Sequence, residues 1–470
     1  MPNQTNRFAA IVAAAALVAG ACSSSSTDAG SQPTATATEQ GAPAGVTAGV
    51  ARSFPPAPVV PDGPLDPADR AILETMIGTI DIGVSGDVAA LADNGDPRVL
   101  WILADFLRFT QGSAIGRVIG ETAGEIAGVD FDLTRPWGDL TDHLIAWDTP
   151  APPDYDVFKS AVFTTVDPRW TFIFNDAEAD IDYRILSWGG VFIDDRPLGD
   201  TEPCPFGCIP SLDDPALTPA SEGDWYPDDA IVFGVRIGDE AVAFPRNIME
   251  IHEMVNMTIG GRRVAIPYCT LCGAAQVFFT DDVPGAERPP VLRTSGLLSR
   301  SNKVMYDLDT QSVFDTFAGI AITGPLRERG VVLEQASVTT TTWADWRATH
   351  PDTLIVAEDG GIGRTYALDP LQGRDDNGPI FPIGEVDPRL GVHEQILGIQ
   401  TPRICSFVAF PVDAARATLE AGDPVELAGV SVELDGQGVR ATFEGEPIAS
   451  HQAFWFAWSQ FNPDTELWLP

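Results

Sequence analysis

The chain has 470 residues and is 44% hydrophobic, enough for a sizeable core divided among about two or three domains. Its formal charge is −39, from 67 acidic against 28 basic residues, and only two of the bases are lysines, Lys159 and Lys303. Such a balance excludes the positive footprint that nucleic acids and anionic membrane surfaces require, and describes a solvated, acidic exterior.

Residues 1–21 read as a signal peptide. Arg7 precedes the run "AAIVAAAALVAGA", which is apolar but too short to span a bilayer comfortably. The run ends in "VAGAC", which looks like a bacterial lipobox, with Cys22 lipidated as the first mature residue. Ala19 stands where leucine is usual, and plain cleavage and release is the alternative. Either way the chain is expected to be exported, and in the first case anchored to a membrane of the cell envelope. Residues 22–64 are rich in Ser, Thr, Ala and Pro and read as a flexible tether.

Residues 65–165 read as a helical region. "DPADRAILETMIGTI" has a proline-marked start and helical spacing of apolar residues. "DVAALADNGDPRVLWILADFLRF" predicts two helices meeting at "NGDP", with Asp96 as cap and Pro97 at the first position. From residue 166 the texture is β-rich. "IVFGVRIGDEAVAFP", "MTIGGRRVAIPYC" and "NKVMYDLDTQSVFD" each predict a hairpin. The expected fold class is α+β: an N-terminal helical region, then an antiparallel, two-lobed domain with an internal repeat. "WADWRATHPDTLIV" (343–356) matches "WFAWSQFNPDTELW" (455–468), and "VFGVRIGDEAVAFP" resembles "ILGIQTPRICSFVAFP". The lobes are expected at 166–360 and 361–470. The paired tryptophans and the "PDT" turns read as architecture.

The first lobe holds a device that the second lacks: "YCTLCG", with Cys269 and Cys272. A feature absent from one copy is not needed to hold a lobe together, which favours function. Three chemistries suit the spacing. As a redox pair, Cys269 attacks and Cys272 resolves, with a helix after the pair to stabilise a thiolate; if "GAAQVFF" is a strand, that helix argument lapses. As half of a zinc site, the pair joins His252, or joins Cys204 and Cys208 of "CPFGC". As a structural bridge, it is sealed. Cys204 and Cys208 are also disulfide candidates, and Cys405 leaves an odd thiol. His252, in "HEMVN", is a candidate base or thiolate partner, and Arg246 a candidate positive charge. Asn302, Lys303, Tyr306 and Asp307 form a compact donor and acceptor set, in which Lys303 reads as a ligand clamp or the pair of a carboxylate.

The stretches "HEMVN", "IPYCTLCGAAQVF", "SGLLSRSNKVMYDLDT" and "TTWADWRATHPDTLIV" resemble the bacterial family called domain of unknown function 3179. The likeness is dense over about 155–360. It implies motif positions at Cys269, Cys272, His252, Glu253, Asn256 and Tyr306. It implies no established activity, but some relatives carry selenocysteine in place of a cysteine, which implies redox use. "QSVFD" departs from the family's expected "GSLW", placing Phe314 and Asp315 where a substrate or partner surface is expected to change. The leading expectation is a thiol-dependent oxidoreductase with an unknown redox or protein partner. A zinc-binding module and a non-catalytic envelope scaffold are the alternatives.

Overall fold

The computed structural model describes residues 46–470, apart from 81–85, 177, 374–377 and 403–405. Cys22 and Cys405 fall outside the described residues. The chain is mixed α/β, with the longer helices mainly N-terminal and the sheets mainly antiparallel. Among the described residues no helix is long and apolar enough to cross a membrane.

Helix α1 (Pro67–Gly78) starts at Asp66, whose side chain accepts from Ala68 N. Asp96 caps the turn at Pro97–Val99 by accepting from Arg98 N, and α2 (Leu100–Thr110) runs on from it. Helices α3 (Ala114–Ala127), α4 (Pro136–Ala146) and α5 (Tyr155–Val166) pack around α2. Helix α2 is nearly all apolar and buried along most of its length, which suits the centre of a helical cluster. Its one carboxylate, Asp105, takes Lys159 Nζ at 2.6 Å and Tyr155 OH at 2.8 Å. The core of this region continues into the strands through Leu186, Leu297 and Tyr306.

Among the described residues the β-rich part forms five sheets. Strand β1 (Leu186–Trp188) meets the helices. Strands β2 (Ile231–Ile237) and β3 (Glu240–Pro245) form the first predicted hairpin and lead into α6 (Arg246–His252). Strands β4 (Met254–Ile259) and β5 (Arg262–Cys269) form the second, turning at Gly260 and Gly261. After the pair come β6 (Ala274–Ala275) and β7 (Val277–Phe279). Strand β8 (Leu292–Ser299) pairs with both β1 and β9 (Asn302–Asp307).

The repeat is structural. Strand β10 (Thr339–Thr342) lies antiparallel to β2, α7 (Trp343–Thr349) comes next, and β11 (Leu354–Val356) returns parallel to β3. In the later copy, β12 (Gln395–Gln400) and β13 (Phe407–Pro411) form a hairpin leading into α8 (Val412–Glu420). Strand β14 (His451–Phe454) then lies antiparallel to β12, α9 (Trp455–Phe461) comes next, and β15 (Glu466–Leu467) returns parallel to β13. The order and direction of these four strands are the same in both sheets, and the first sheet has a fifth strand, Leu217–Pro219, beyond β11. Trp346 and Trp458 are buried in them, and each donates from Nε1 to a threonine hydroxyl, Thr353 or Thr465, at 2.9 Å. Beneath each indole a glycine, Gly234 or Gly398, leaves the room: an added Cβ would stand 2.3 or 2.4 Å from the ring.

Phe314 is 1% exposed and belongs to the core, so the "QSVFD" departure does not place that residue on a surface as expected from the family likeness.

Candidate functional site

Strand β5 delivers Cys269 at its end, and a single turn spans Thr270–Cys272. Gly273 then takes φ of 59°, which sends the chain back so that Ala274 pairs with Cys269 and Ala275 with Tyr268. A side chain at 273 would also press on Phe454, whose ring lies 2.9 Å from an ideal Cβ. Glycine is therefore required on two counts. Of the two paths left open by the sequence, the residues after the cysteines take the strand, so the argument from a following helix N-terminus lapses.

Cys269 and Cys272 both carry thiols, and both donate to the Ser301 carbonyl, at 3.6 and 3.4 Å. Cys272 also lies 3.7 Å from Asn302 Oδ1. The two differ in access. Cys269 lines a cavity of about 90 Å³ with Glu253, Thr270, Thr294 and Lys303, walled by Val191, Ile209, Leu297 and Phe381. Both are buried, Cys269 at 2% and Cys272 at 0% exposure, and both belong to one core cluster with Trp455, Phe456 and Trp458 of the repeated sheet, but Cys272 does not line the cavity.

Lys303 supplies the charge. It is 4% exposed, donates to the carbonyls of Glu253 and Tyr268, and stands 3.6 Å from the Glu253 carboxylate. Burial pushes its pKa down, while Glu253, Cys269 and Cys272 pull it back up. The ammonium is thus electrostatically coupled to both sulfurs. Glu253, at a left-handed φ of 49° after α6, also accepts from the Thr270 hydroxyl at 3.2 Å. The site is a dithiol with one sulfur on a cavity, a buried cation beside it and a carboxylate–hydroxyl pair within reach.

Of the residues marked in the sequence, Cys269, Cys272, Glu253, Asn302 and Lys303 come together. His252 does not join them. Its Nδ1 bonds Pro210 O at 2.6 Å and its Nε2 bonds Tyr366 OH at 2.7 Å. Burial holds its pKa down to about 4, so at neutral pH it offers no positive charge to a thiolate. Arg246 pairs with Glu250 at 2.7 Å. Asn256 ties Asp213 and Leu292 together, and Tyr306 donates to the Asp194 carbonyl at 2.7 Å; burial raises its phenol pKa. Asp307 accepts from Val291 N, Thr310 N and the Thr310 hydroxyl, which makes it a turn residue. Sequence reasoning does not find Thr270 or the Ser301 carbonyl. Thr270 sits between the cysteines, which could have marked it; nothing in the sequence marks a carbonyl.

Cys204 and Cys208 close a local disulfide. Among the described residues, the one set of three metal-ligating atoms within 4.8 Å of one another belongs to Asp194, Cys204 and Cys208. Two of these are bonded to each other, and Asp194 is held by Arg196 and by Ser211 N, both at 2.7 Å. The expected zinc sets, Cys269 and Cys272 with His252 or with Cys204 and Cys208, are not gathered among the described residues. The reason is that β5 and the "CPFGC" loop place the two pairs apart, while His252 is tied to Pro210 and Tyr366.

Comparison with curated proteins and with solved structures gives no match. A family model does match, over residues 207–441. It begins after the helical region and takes in the thiol pair and, of the second repeated sheet, the strands β12 and β13. The chain belongs to the family described as protein of unknown function (DUF3179).

Proposed function

We propose that the protein is an exported, lipid-anchored thiol–disulfide oxidoreductase acting through Cys269 and Cys272. The observation that carries this reading is the asymmetry of the pair: Cys269 lines a cavity beside the Lys303 ammonium, and Cys272 waits behind it on the same carbonyl. Cys269 gives its proton to the Lys303–Glu253 pair, and the resulting thiolate attacks one sulfur of a substrate disulfide. That S–S bond breaks, a mixed disulfide forms, and the first substrate thiolate leaves with a proton from the Lys303–Glu253 pair. Cys272 then gives its proton to the same pair and attacks Cys269 Sγ, and the second substrate thiolate leaves with that proton. Two electrons pass to the substrate, and a Cys269–Cys272 bridge remains for a reducing partner to open. The cavity has room for a side chain or a small disulfide, not for a folded surface.

The Cys204–Cys208 bridge supports an oxidising, exported setting, as the leader ending at Cys22 does. The repeated sheets support two related lobes, 166–360 and 361–470, of which the first carries the chemistry and the second backs Cys272. The helical region, 65–165, then serves to pack against β1 and β8.

The test is a trapping experiment with oxidised glutathione. Cys272→Ser should accumulate a stable glutathione adduct on Cys269, and Cys269→Ser should give none at Cys272. A folded Cys272→Ser protein that stays unmodified would remove the redox reading and leave a sealed structural pair.

A further inference from the structure

Among the described residues the cavity of Cys269 has one cation in its lining, Lys303, and that ammonium is spent on Glu253 and Tyr268. A second cation stands at its wall. Arg108, in the last turn of α2, donates from Nε to the Trp188 carbonyl at 2.7 Å. Gly189 and Val191, which follow along the chain, line the cavity, and the exposed Gly190 lies between them. An ideal Cβ on Gly190 would stand 3.6 Å from Arg108 Nη2, so no side chain at 190 covers that nitrogen. Phe381, a further wall residue, has its ring centre 5.4 Å from the same guanidinium.

Arg108 is framed rather than paired. Its guanidinium lies 4.4 Å from the ring centre of Trp137 and 5.1 Å from that of Trp188. Such stacking fixes the group by its faces and leaves its N–H edge for other partners. Neither Nη group makes a hydrogen bond or ion pair with the described residues. Acids outnumber bases 67 to 28 in this chain, and the half-buried Arg169, Arg184 and Arg327 each hold a carboxylate at 2.8 Å. Arg108, also half-buried, meets none among the described residues. A fixed, planar guanidinium with a free edge matches a carboxylate, which accepts two parallel hydrogen bonds from it.

We propose that Arg108 selects the substrate: the disulfide that Cys269 attacks belongs to a small thiol bearing a carboxylate, with its sulfur in the cavity and its carboxylate on the Nη edge of Arg108. This inference rests on the thiol–disulfide reading and names the substrate class of that site. It also gives the helical region, through the last turn of α2, a part in substrate choice.

The test compares dithiodipropionate with its neutral diamide, two disulfides of nearly the same size, on the folded Cys272→Ser chain. In either case one arm is transferred to Cys269 and the other leaves as a thiol, and mass follows the adduct. Each rate is divided by that of a small free thiol with the same disulfide. The dicarboxylate should react about tenfold faster than the diamide, although the acidic exterior repels it. In the Arg108→Gln background the two rates should come within about twofold of each other, and Arg108→Lys should keep part of the preference. Labelling at equal rates by both disulfides in the chain that retains Arg108 would overturn this inference and leave the thiol reading standing. A preference that survives in a folded Arg108→Gln protein would overturn it too. No labelling by either disulfide would remove the thiol reading, and this inference with it.

Discussion

Lys159 and Lys303, the two lysines of the chain, are 1% and 4% exposed, and each is held by a carboxylate. Lys159 neutralises Asp105 inside the helical core, so Lys159→Met would leave a buried carboxylate without its cation and cost about 3–5 kcal/mol in urea unfolding. Adding Asp105→Asn should recover part of that loss; no recovery would show that the packing, not the charge, is at stake. Lys303 faces the sulfurs instead. Lys303→Met should slow alkylation of Cys269 at pH 7 about tenfold, since a desolvated sulfur anion loses its nearest cation. An unchanged rate would exclude Lys303 from thiol chemistry. The rarity of lysine made this residue legible in the sequence. The partners of His252 were not: Pro210 and Tyr366 lie 42 and 114 residues away, and only the folded chain brings them to the ring.

At the level of elements, the hairpins and caps were legible because their signals are local: Asp96 before Pro97, and glycine pairs between alternating strands. The repeat was legible through its tryptophans, but its reason was not. Gly234 and Gly398 are small because Trp346 and Trp458 lie across them. Ala at either position should cost about 1–3 kcal/mol by overpacking, read as a lower unfolding midpoint. A neutral substitution would mean that the indole can shift, and that the shared contact is not what holds the two sheets alike. The strand after Cys272 was ambiguous in the sequence, since "GAAQVFF" is too short and too apolar for periodicity to decide. The positive φ of Gly273 and its contact with Phe454, a residue of the other sheet, settle the path.

Across the whole molecule, stability should depend on acid through two buried imidazoles. Burial pushes both His252 and His451 down to about 4. Unfolded imidazoles titrate near 6.5, so below that pH the unfolded chain binds protons that the folded chain refuses. Their contribution is complete above about pH 6.5 and is lost as pH falls to about 4, by up to roughly 3 kcal/mol each. Urea unfolding from pH 7 to 4.5 should show this fall, and His451→Gln should make it shallower; an identical slope in the variant would remove His451 from the account. The helical region lies outside the family match, which starts at residue 207 and takes in the thiol site. It is joined to that site through β1 and β8, a junction no local pattern announces. The central claim is that Cys269 and Cys272 exchange electrons. It is tested most directly by equilibrating the folded protein in glutathione buffers of stepped potential and mapping each cysteine by alkylation and mass. The account predicts a reversible, two-electron closure of Cys269 onto Cys272 while Cys204–Cys208 stays bridged. A pair that remains as two thiols, untouched by alkylation at every potential that leaves the fold intact, would contradict it.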